Sequence, residues 1–142
     1  MIEEKNINLC VNGITKLRSV KITRSYDAQG DINSVTLKVI EDGIEYESHS
    51  GIMEGAVINL QKQLPQGVQI VCCQSCRYGN FCPYGDQENE IFCLKDYASK
   101  NNKDITELFS TGYEELTRNE LLFWCEDYKE IDEDYYTYNS GL

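Results

Sequence analysis

A cluster of cysteines in the middle of the chain constrains its fold more than any other feature of the sequence. Four of the seven cysteines fall between residues 72 and 82, and a fifth stands at position 93. Cys73 and Cys76 form a C-x2-C pair. That spacing lets a tight turn aim two sulfur atoms at one point, as in tetrahedral zinc sites. We therefore expect Cys73, Cys76 and Cys93 to converge on a structural zinc ion.

The fourth zinc ligand has two candidates in the sequence. Cys82 is the local choice, whereas Cys125 is distant and would tie the C-terminal segment to a sheet. The first three ligands would meet without strain if two short strands, residues 68–73 and 91–94, formed a hairpin. From spacing alone, both candidates for the fourth ligand stay open.

Other interpretations of the cysteines compete with zinc. A redox pair of the thioredoxin type, made of Cys73 and Cys76, would have to open a helix whose N-terminus lowers a thiol pKa. The residues that follow Cys76 are poor helix formers. Iron–sulfur clusters also take four cysteines, but in tighter runs than this sequence has. The plainest alternative is a set of reduced, buried thiols, which is what we expect of Cys72 and Cys10.

The cysteine count and the N-terminal residues indicate a compartment. Seven cysteines cannot all pair in disulfides within one chain. The first residues are acidic and do not have the apolar core of a secretory signal. We therefore expect a reduced, cytoplasmic protein. We expect no transmembrane helix either, because the sequence has no run of about 20 apolar residues.

The first half of the chain alternates in the manner of antiparallel strands. Asn12-Gly13 and Asp42-Gly43 each supply the positive φ angles of a type I′ hairpin turn. Two such turns within the first 50 residues predict a four-stranded meander. Residues 51–64 then carry an apolar stripe with helical spacing, and Ser50 is a plausible N-cap for that helix.

The sequence of the last third of the chain predicts helices followed by a frayed C-terminal segment. Asp104 begins one helical segment, and residues 117–120 have the spacing of a capping box ahead of a second, over 121–124. That second segment would also suit a strand. Residues 131–142, which are acidic and rich in tyrosine, are expected to fray. We predict a single α+β domain, residues 1–142, with an antiparallel sheet, helices on one face and a cysteine-rich loop.

The charge of the chain is strongly and unevenly negative. The net charge is −11 in total, and residues 101–142 hold 11 acidic and 3 basic side chains. Phosphate backbones and anionic membranes repel such a surface, so we expect neither nucleic acid nor membrane as a partner. A basic protein would be attracted to it, although acidity can also serve solubility alone.

The spacing of cysteines, aromatic residues and turn residues resembles a family of small, acidic, uncharacterised bacterial proteins. The resemblance covers roughly residues 70–130 and rests on Cys73, Cys76, Tyr78, Phe81, Pro83, Tyr84, Gly85, Cys93, Cys125 and Tyr128. Some of these proteins look like immunity proteins encoded beside secreted toxins. Because the position of Cys82 is often not cysteine in that pattern, the resemblance shifts weight toward Cys125 as the fourth ligand and leaves Cys82 as the alternative. It implies no catalytic residues.

These observations favour a non-enzymatic function. We expect an acidic protein-binding module with a structural zinc site, of the type of an immunity protein against a basic toxin. A thiol redox enzyme that uses Cys73 and Cys76 is the first alternative, and a small-molecule hydrolase is the second. His49 is the single histidine of the chain, and a lone histidine is more often an exposed side chain than a catalytic base or a metal ligand.

Overall fold

A computed structural model describes residues 1–85 and 87–142. These residues divide into two compact units, an N-terminal unit of residues 1–71 with Leu142 and a C-terminal unit of residues 72–141. The described residues form a five-stranded antiparallel sheet, a second sheet of three short strands, and two α-helices. The prediction of an α+β fold with an antiparallel sheet is confirmed.

The N-terminal unit is built on the five-stranded sheet, whose strand order is β4-β3-β2-β1-β5. The strands are β1 (Ile2–Val11), β2 (Ile14–Tyr26), β3 (Ile32–Glu41), β4 (Ile44–Ser50) and β5 (Val68–Val71). The first four form the predicted meander. The fifth returns to the other edge and pairs antiparallel with β1, in a register that sets Val68 opposite Val11.

Two tight turns set the register of the meander. Asn12 and Gly13 have φ angles of 49° and 86°, and Asp42 and Gly43 have φ angles of 52° and 74°. Positive φ at both central residues defines the type I′ turn, whose twist matches that of the strands. The sequence prediction of two such hairpins is confirmed.

One face of the sheet is covered by helix α1 (Met53–Gln63), which packs against β3 and β4. Alternate strand residues and one stripe of α1 are fully buried and form the core of this unit: Ile7, Leu9, Val20, Ile22, Val35, Leu37, Val39, Met53, Ala56, Val57 and Leu60. The predicted helix is confirmed, but Ser50 is not its N-cap. Ile52 occupies that position without a side-chain cap, and Ser50 Oγ only accepts a long hydrogen bond of 3.4 Å from the Ile52 N–H.

The C-terminal unit contains little regular structure. Its sheet has the order β6-β7-β8 and is formed by β6 (Gly79–Asn80), β7 (Ile91–Cys93) and β8 (Thr117–Asn119). Helix α2 (Asn102–Gly112) follows the predicted start near Asp104, and the Asn101 side chain caps it by accepting a 3.0 Å hydrogen bond from the Asp104 N–H. One-turn 3₁₀ helices lie at Cys73–Ser75 and Tyr113–Glu115.

An apolar cluster joins the small sheet to α2. Its buried members are Cys82, Phe92, Leu94, Ile105, Phe109 and Leu116. The rings of Phe92 and Phe109 meet edge to face with centroids 4.9 Å apart, an arrangement favoured by the ring quadrupoles. This cluster fixes β7 against the helix, and thereby fixes the position of Cys93 at the end of β7.

Two predictions for this part of the chain are wrong. Residues 68–73 and 91–94 do not form a hairpin, because β5 pairs with β1 while β7 pairs with β6 and β8. Residues 117–120 do not cap a helix either. Pairing with β7 makes Thr117–Asn119 a strand, and the chain beyond it is irregular through Trp124.

The C-terminal segment, residues 121–141, is irregular but extensively hydrogen-bonded. Thr137 Oγ1 donates to the Arg77 carbonyl at 2.6 Å, and the Tyr138 N–H donates to Asn80 Oδ1 at 2.6 Å. Asn139 Nδ2 donates to two further carbonyl groups of the same loop. Fraying of residues 131–142 and the single-domain boundary stay predictions. Across residues 1–85 and 87–142, no helix is both long and apolar enough to cross a membrane.

Candidate metal centre

The C-x2-C pair lies on the 3₁₀ turn that follows the last strand of the large sheet. The Cys76 N–H donates to the Cys73 carbonyl at 3.2 Å, which closes the turn. The backbone of Gly79 lies so close to this turn that a Cβ atom there would overlap the Cys73 carbonyl oxygen. The C-x2-C spacing and this glycine therefore give the loop its tight shape.

Two other segments bring cysteines to this loop. Strand β7 pairs with β6 in a register that sets Cys93 opposite Gly79. The irregular segment after β8 is attached by the Cys73 N–H, which donates to the Phe123 carbonyl at 2.7 Å. That attachment, two residues before Cys125, carries the last cysteine of the chain to the same place.

Four of the five predicted ligands line one small cavity. Cys73, Cys76, Cys93 and Cys125 share it with Cys72, and its volume is about 20 Å³, enough for one water molecule or one ion. Aromatic and polar side chains complete its walls: Tyr78, Phe123, Trp124, Tyr128, Asn119 and Asp127. We name this cavity the thiol pocket.

Cys82, the fifth predicted ligand, lies elsewhere. It is buried in the apolar cluster with Phe92, Leu94 and Phe109, and it does not line the thiol pocket. The structure therefore brings the first three predicted ligands, Cys73, Cys76 and Cys93, together with Cys125, the distant candidate for the fourth. The local candidate is part of the hydrophobic core.

The thiols of the pocket are not arranged as a finished metal site. In the described part of the chain, no group of three or more histidine, cysteine, aspartate or glutamate side chains has a geometry that could hold a metal ion. The seven cysteines, all of which are described, are thiols that form no disulfide with one another.

Burial favours the protonated form of three thiols of the pocket, those of Cys72, Cys73 and Cys93. It is the main cause that raises the pKa of Cys73 to about 12, with the neighbouring Cys72 adding to the rise, and it raises the pKa of Cys72 to about 11. Burial also raises the pKa of Cys93. Since the thiolate is the nucleophile, these thiols are weak nucleophiles at neutral pH.

Several N–H groups nevertheless point at the sulfur atoms. Asn119 Nδ2 donates to Cys73 Sγ at 3.6 Å. The backbone N–H of Lys95 donates to Cys93, and Cys72 accepts from the backbone N–H groups that follow it in the 3₁₀ turn. Each of these hydrogen bonds favours the negatively charged sulfur, because an N–H donor is attracted more strongly to an anion than to a neutral acceptor.

Sequence reasoning missed two residues of the pocket. Cys72 was expected only as a reduced, buried thiol, but the strand ends at Val71 and Cys72 lines the pocket together with Cys73. Asn119 carries no sequence signal, since nothing in its spacing connects it to Cys73. The strand that carries it was predicted as a helix cap.

A wider polar groove lies beside the thiol pocket and shares three of its residues, Tyr78, Asp127 and Tyr128. Its volume is about 380 Å³, and charged side chains line the rest: Lys95, Asp96, Glu126 and Lys129. Lys95 Nζ donates to Asp127 Oδ2 at 2.6 Å, and this hydrogen bond is the main cause that lowers the pKa of Asp127.

Two residues weighed in the sequence lie in the other unit. His49 is exposed on β4, where its ring is hydrogen-bonded to Thr36 Oγ1 at 2.9 Å and lies 3.3 Å from a Glu47 carboxylate oxygen. Cys10 lies on β1 between Thr15 and Gln69 of the neighbouring strands.

Neither family models nor curated proteins give a match to this chain. The resemblance to small acidic bacterial proteins therefore stays a prediction.

Proposed function

We propose that this chain is a non-enzymatic, acidic protein-binding module whose C-terminal unit is stabilised by a structural zinc ion. Cys73, Cys76, Cys93 and Cys125 would hold the ion. The observation that carries the proposal is that four thiols from three separate segments line one cavity of about 20 Å³. A metal bound there would cross-link the C-x2-C turn, β7 and the C-terminal segment.

The chemistry of the pocket suits such an ion. A structural zinc site of the four-cysteine type uses four thiolates at about 2.3 Å in a tetrahedral arrangement. A cysteine side chain moves its sulfur by rotation about one bond, so closing the site asks for rotamer changes rather than a new fold. The bound metal would supply the positive charge that converts buried, protonated thiols into thiolates.

The same features argue against a thiol redox enzyme built on Cys73 and Cys76. Reactive cysteines of that type sit at the start of a helix, where their pKa is lowered. Here Cys73 begins only a 3₁₀ turn of three residues, Cys76 lies just beyond that turn, and burial raises the pKa of Cys73. A hydrolase has no support from a specific residue of the described chain.

The partner we propose is a basic protein, in the manner of an immunity protein that neutralises a basic toxin in the cytoplasm. The charge distribution supports this. The C-terminal unit contains 15 acidic and 6 basic side chains, a net charge of −9, whereas the remainder of the chain contains 9 acidic and 7 basic side chains, a net charge of −2. Such a surface accelerates the approach of a cationic partner.

Metal analysis tests the zinc site. Protein purified without chelator should contain one zinc ion per chain, and Cys73→Ser or Cys125→Ser should lose it. Cys82→Ser is the matched control, because it removes a buried thiol that does not line the pocket. Absence of metal, together with rapid alkylation of the untreated thiols, would overturn the zinc site and favour the redox enzyme.

Salt titration tests the partner. If a toxin gene adjoins the gene for this chain, its purified product should bind, and the dissociation constant should rise steeply with ionic strength. The double variant Glu133→Gln and Asp134→Asn makes the net charge of the chain less negative. It should therefore weaken the binding and reduce its salt dependence. Tight binding that ignores salt would count against electrostatic recognition.

A further inference from the structure

We propose that Asn119 is a positioning residue of the metal centre, whose side-chain amide holds the Cys73 sulfur and stabilises it as a thiolate ligand. This inference rests on the proposed zinc site. It adds a residue that is not a metal ligand and that the cysteine pattern does not indicate. The observation behind it is the hydrogen bond from Asn119 Nδ2 to Cys73 Sγ, at 3.6 Å.

The orientation of Asn119 is fixed by the strand that carries it. Pairing of β8 with β7 sets Asn119 opposite Ile91. The preceding residue of the strand, Arg118, faces the apolar cluster, where its guanidinium lies 4.5 Å from the ring centroid of Tyr113 and 5.6 Å from that of Phe92. Successive residues of a strand face opposite sides, so Asn119 faces away from this cluster and lines the thiol pocket.

The chain just beyond Asn119 is held as well. The Leu121 N–H donates to Asn89 Oδ1 at 3.0 Å, and the Leu121 carbonyl accepts from the Gln74 N–H at 3.1 Å. Contacts on both sides of Asn119 therefore fix its backbone relative to the C-x2-C turn. An amide held in this way keeps its donor directed at Cys73 in the folded C-terminal unit.

The hydrogen bond from the amide is strongest when the sulfur is negatively charged. An N–H donor is bound more strongly by an anionic acceptor than by a neutral thiol, and a metal-bound thiolate keeps much of its negative charge. Partners of metal ligands commonly tune metal affinity in this way. Cys93 receives its donor from backbone, but the donor to Cys73 is a side chain, which a substitution can remove.

Cobalt substitution tests the inference. Co²⁺ is added to metal-free protein, and the sulfur-to-cobalt charge-transfer band and the dissociation constant are measured for wild type, Asn119→Leu and Asn119→Ala. Loss of the N–H donor should weaken Co²⁺ binding about 10- to 100-fold. It should also move the band to longer wavelength, because an unsupported thiolate gives up electron density more easily. The alanine side chain of Asn119→Ala is too small to clash with its neighbours. The band and the Co²⁺ affinity can therefore be measured in this variant even if the leucine variant does not fold.

Asn139→Leu is the matched control. It removes two amide hydrogen bonds to the same loop, to the carbonyls of Gln74 at 2.8 Å and Gly79 at 3.0 Å, and touches no sulfur. It should lower the melting temperature and leave the band in place. If both Asn119 variants keep the charge-transfer band and the Co²⁺ affinity of the wild type, the role of Asn119 is overturned and the zinc site is not. If the wild type binds neither Co²⁺ nor Zn²⁺, the zinc site itself is overturned.

Discussion

The N-terminal and C-terminal units are each stabilised by a different set of interactions. The N-terminal unit has strands of 7 to 13 residues in its meander, which bury alternate apolar side chains beneath α1. The C-terminal unit has strands of only 2 or 3 residues and a long irregular segment. Regular pairing with an apolar face can support the first unit, while the second depends on side-chain hydrogen bonds, a small aromatic cluster and the thiol pocket.

This difference between the units is consistent with placing the proposed zinc site in the C-terminal one. A small unit with little regular structure buries too little apolar surface to offset the entropy of ordering its loops. Structural zinc sites contribute an apparent binding free energy of about 10 to 16 kcal/mol, which becomes folding free energy. The concentration of cysteines in the C-terminal unit, six of the seven, fits that division.

Removing the proposed zinc ion should therefore produce the largest effect, and this effect should be confined to the C-terminal unit. After treatment with a strong zinc chelator, we expect amide hydrogen exchange to become fast in residues 72–141 and to stay slow in the strands of the meander. Exchange mapped by mass spectrometry checks this. Equal loss of protection in both units would show that dependence on the metal is not confined to the C-terminal unit.

A cavity in the N-terminal core should give the next largest effect, without touching the metal. Leu37 is fully buried on β3, so Leu37→Ala should lower the free energy of unfolding by about 2 to 5 kcal/mol. Denaturant titration measures this, and zinc content should stay unchanged. Leu17→Ala is the control, because Leu17 on β2 is 58% exposed and its loss should cost little.

The two helices differ in their N-caps, and this offers a smaller test. Asn101→Ala removes the cap of α2 and should cost about 1 kcal/mol. Helix α1 has Ile52 at the N-cap with no side-chain hydrogen bond, so Ile52→Asp should stabilise the N-terminal unit by about 0.5 to 1 kcal/mol. Denaturant titrations of the metal-loaded protein check both. A loss of stability in Ile52→Asp would contradict the assignment of this end of α1.

The exposed ion pair beside the thiol pocket should matter least. Lys95 lowers the pKa of Asp127, so the pair contributes stability at neutral pH and loses it as the pH falls through the lowered pKa of Asp127. Lys95→Met should raise that pKa toward the ordinary aspartate value, as a carboxylate NMR titration would show. Because both groups are exposed, the melting temperature at pH 7 should barely change. A large drop would mean that surface charge, rather than metal, holds this unit.

Local signals predicted the N-terminal unit well. Asn12-Gly13 and Asp42-Gly43 specify their turns by their own backbone preferences, and the apolar alternation between them specifies which face is buried. The pairing of β5 with β1 was not predictable in this way. It depends on contacts between residues that are about 60 positions apart, such as Val11 and Val68, and no short-range pattern records such a choice.

The thiol pocket was predictable only in part, for a similar reason. The spacing of Cys73 and Cys76 implies that their sulfurs can meet, because a turn of that length permits it. The choice between Cys82 and Cys125 depends on the path of the chain after Cys93, and Cys125 follows 32 residues later. Residues 117–120 carried a helix-cap signal that pairing with β7 overrode, so Asn119 could not be foreseen beside Cys73.

The separation of the pocket cysteines along the chain has a consequence for biosynthesis. Cys125 is translated 52 residues after Cys73, an interval of roughly 3 to 10 s at ordinary ribosomal speeds of about 5 to 20 residues per second. During that time the thiols made earlier lack the fourth ligand of the proposed site. The zinc site that we propose can therefore close only after Cys125 has been made, and until then the earlier thiols stay open to oxidation and to competing ions.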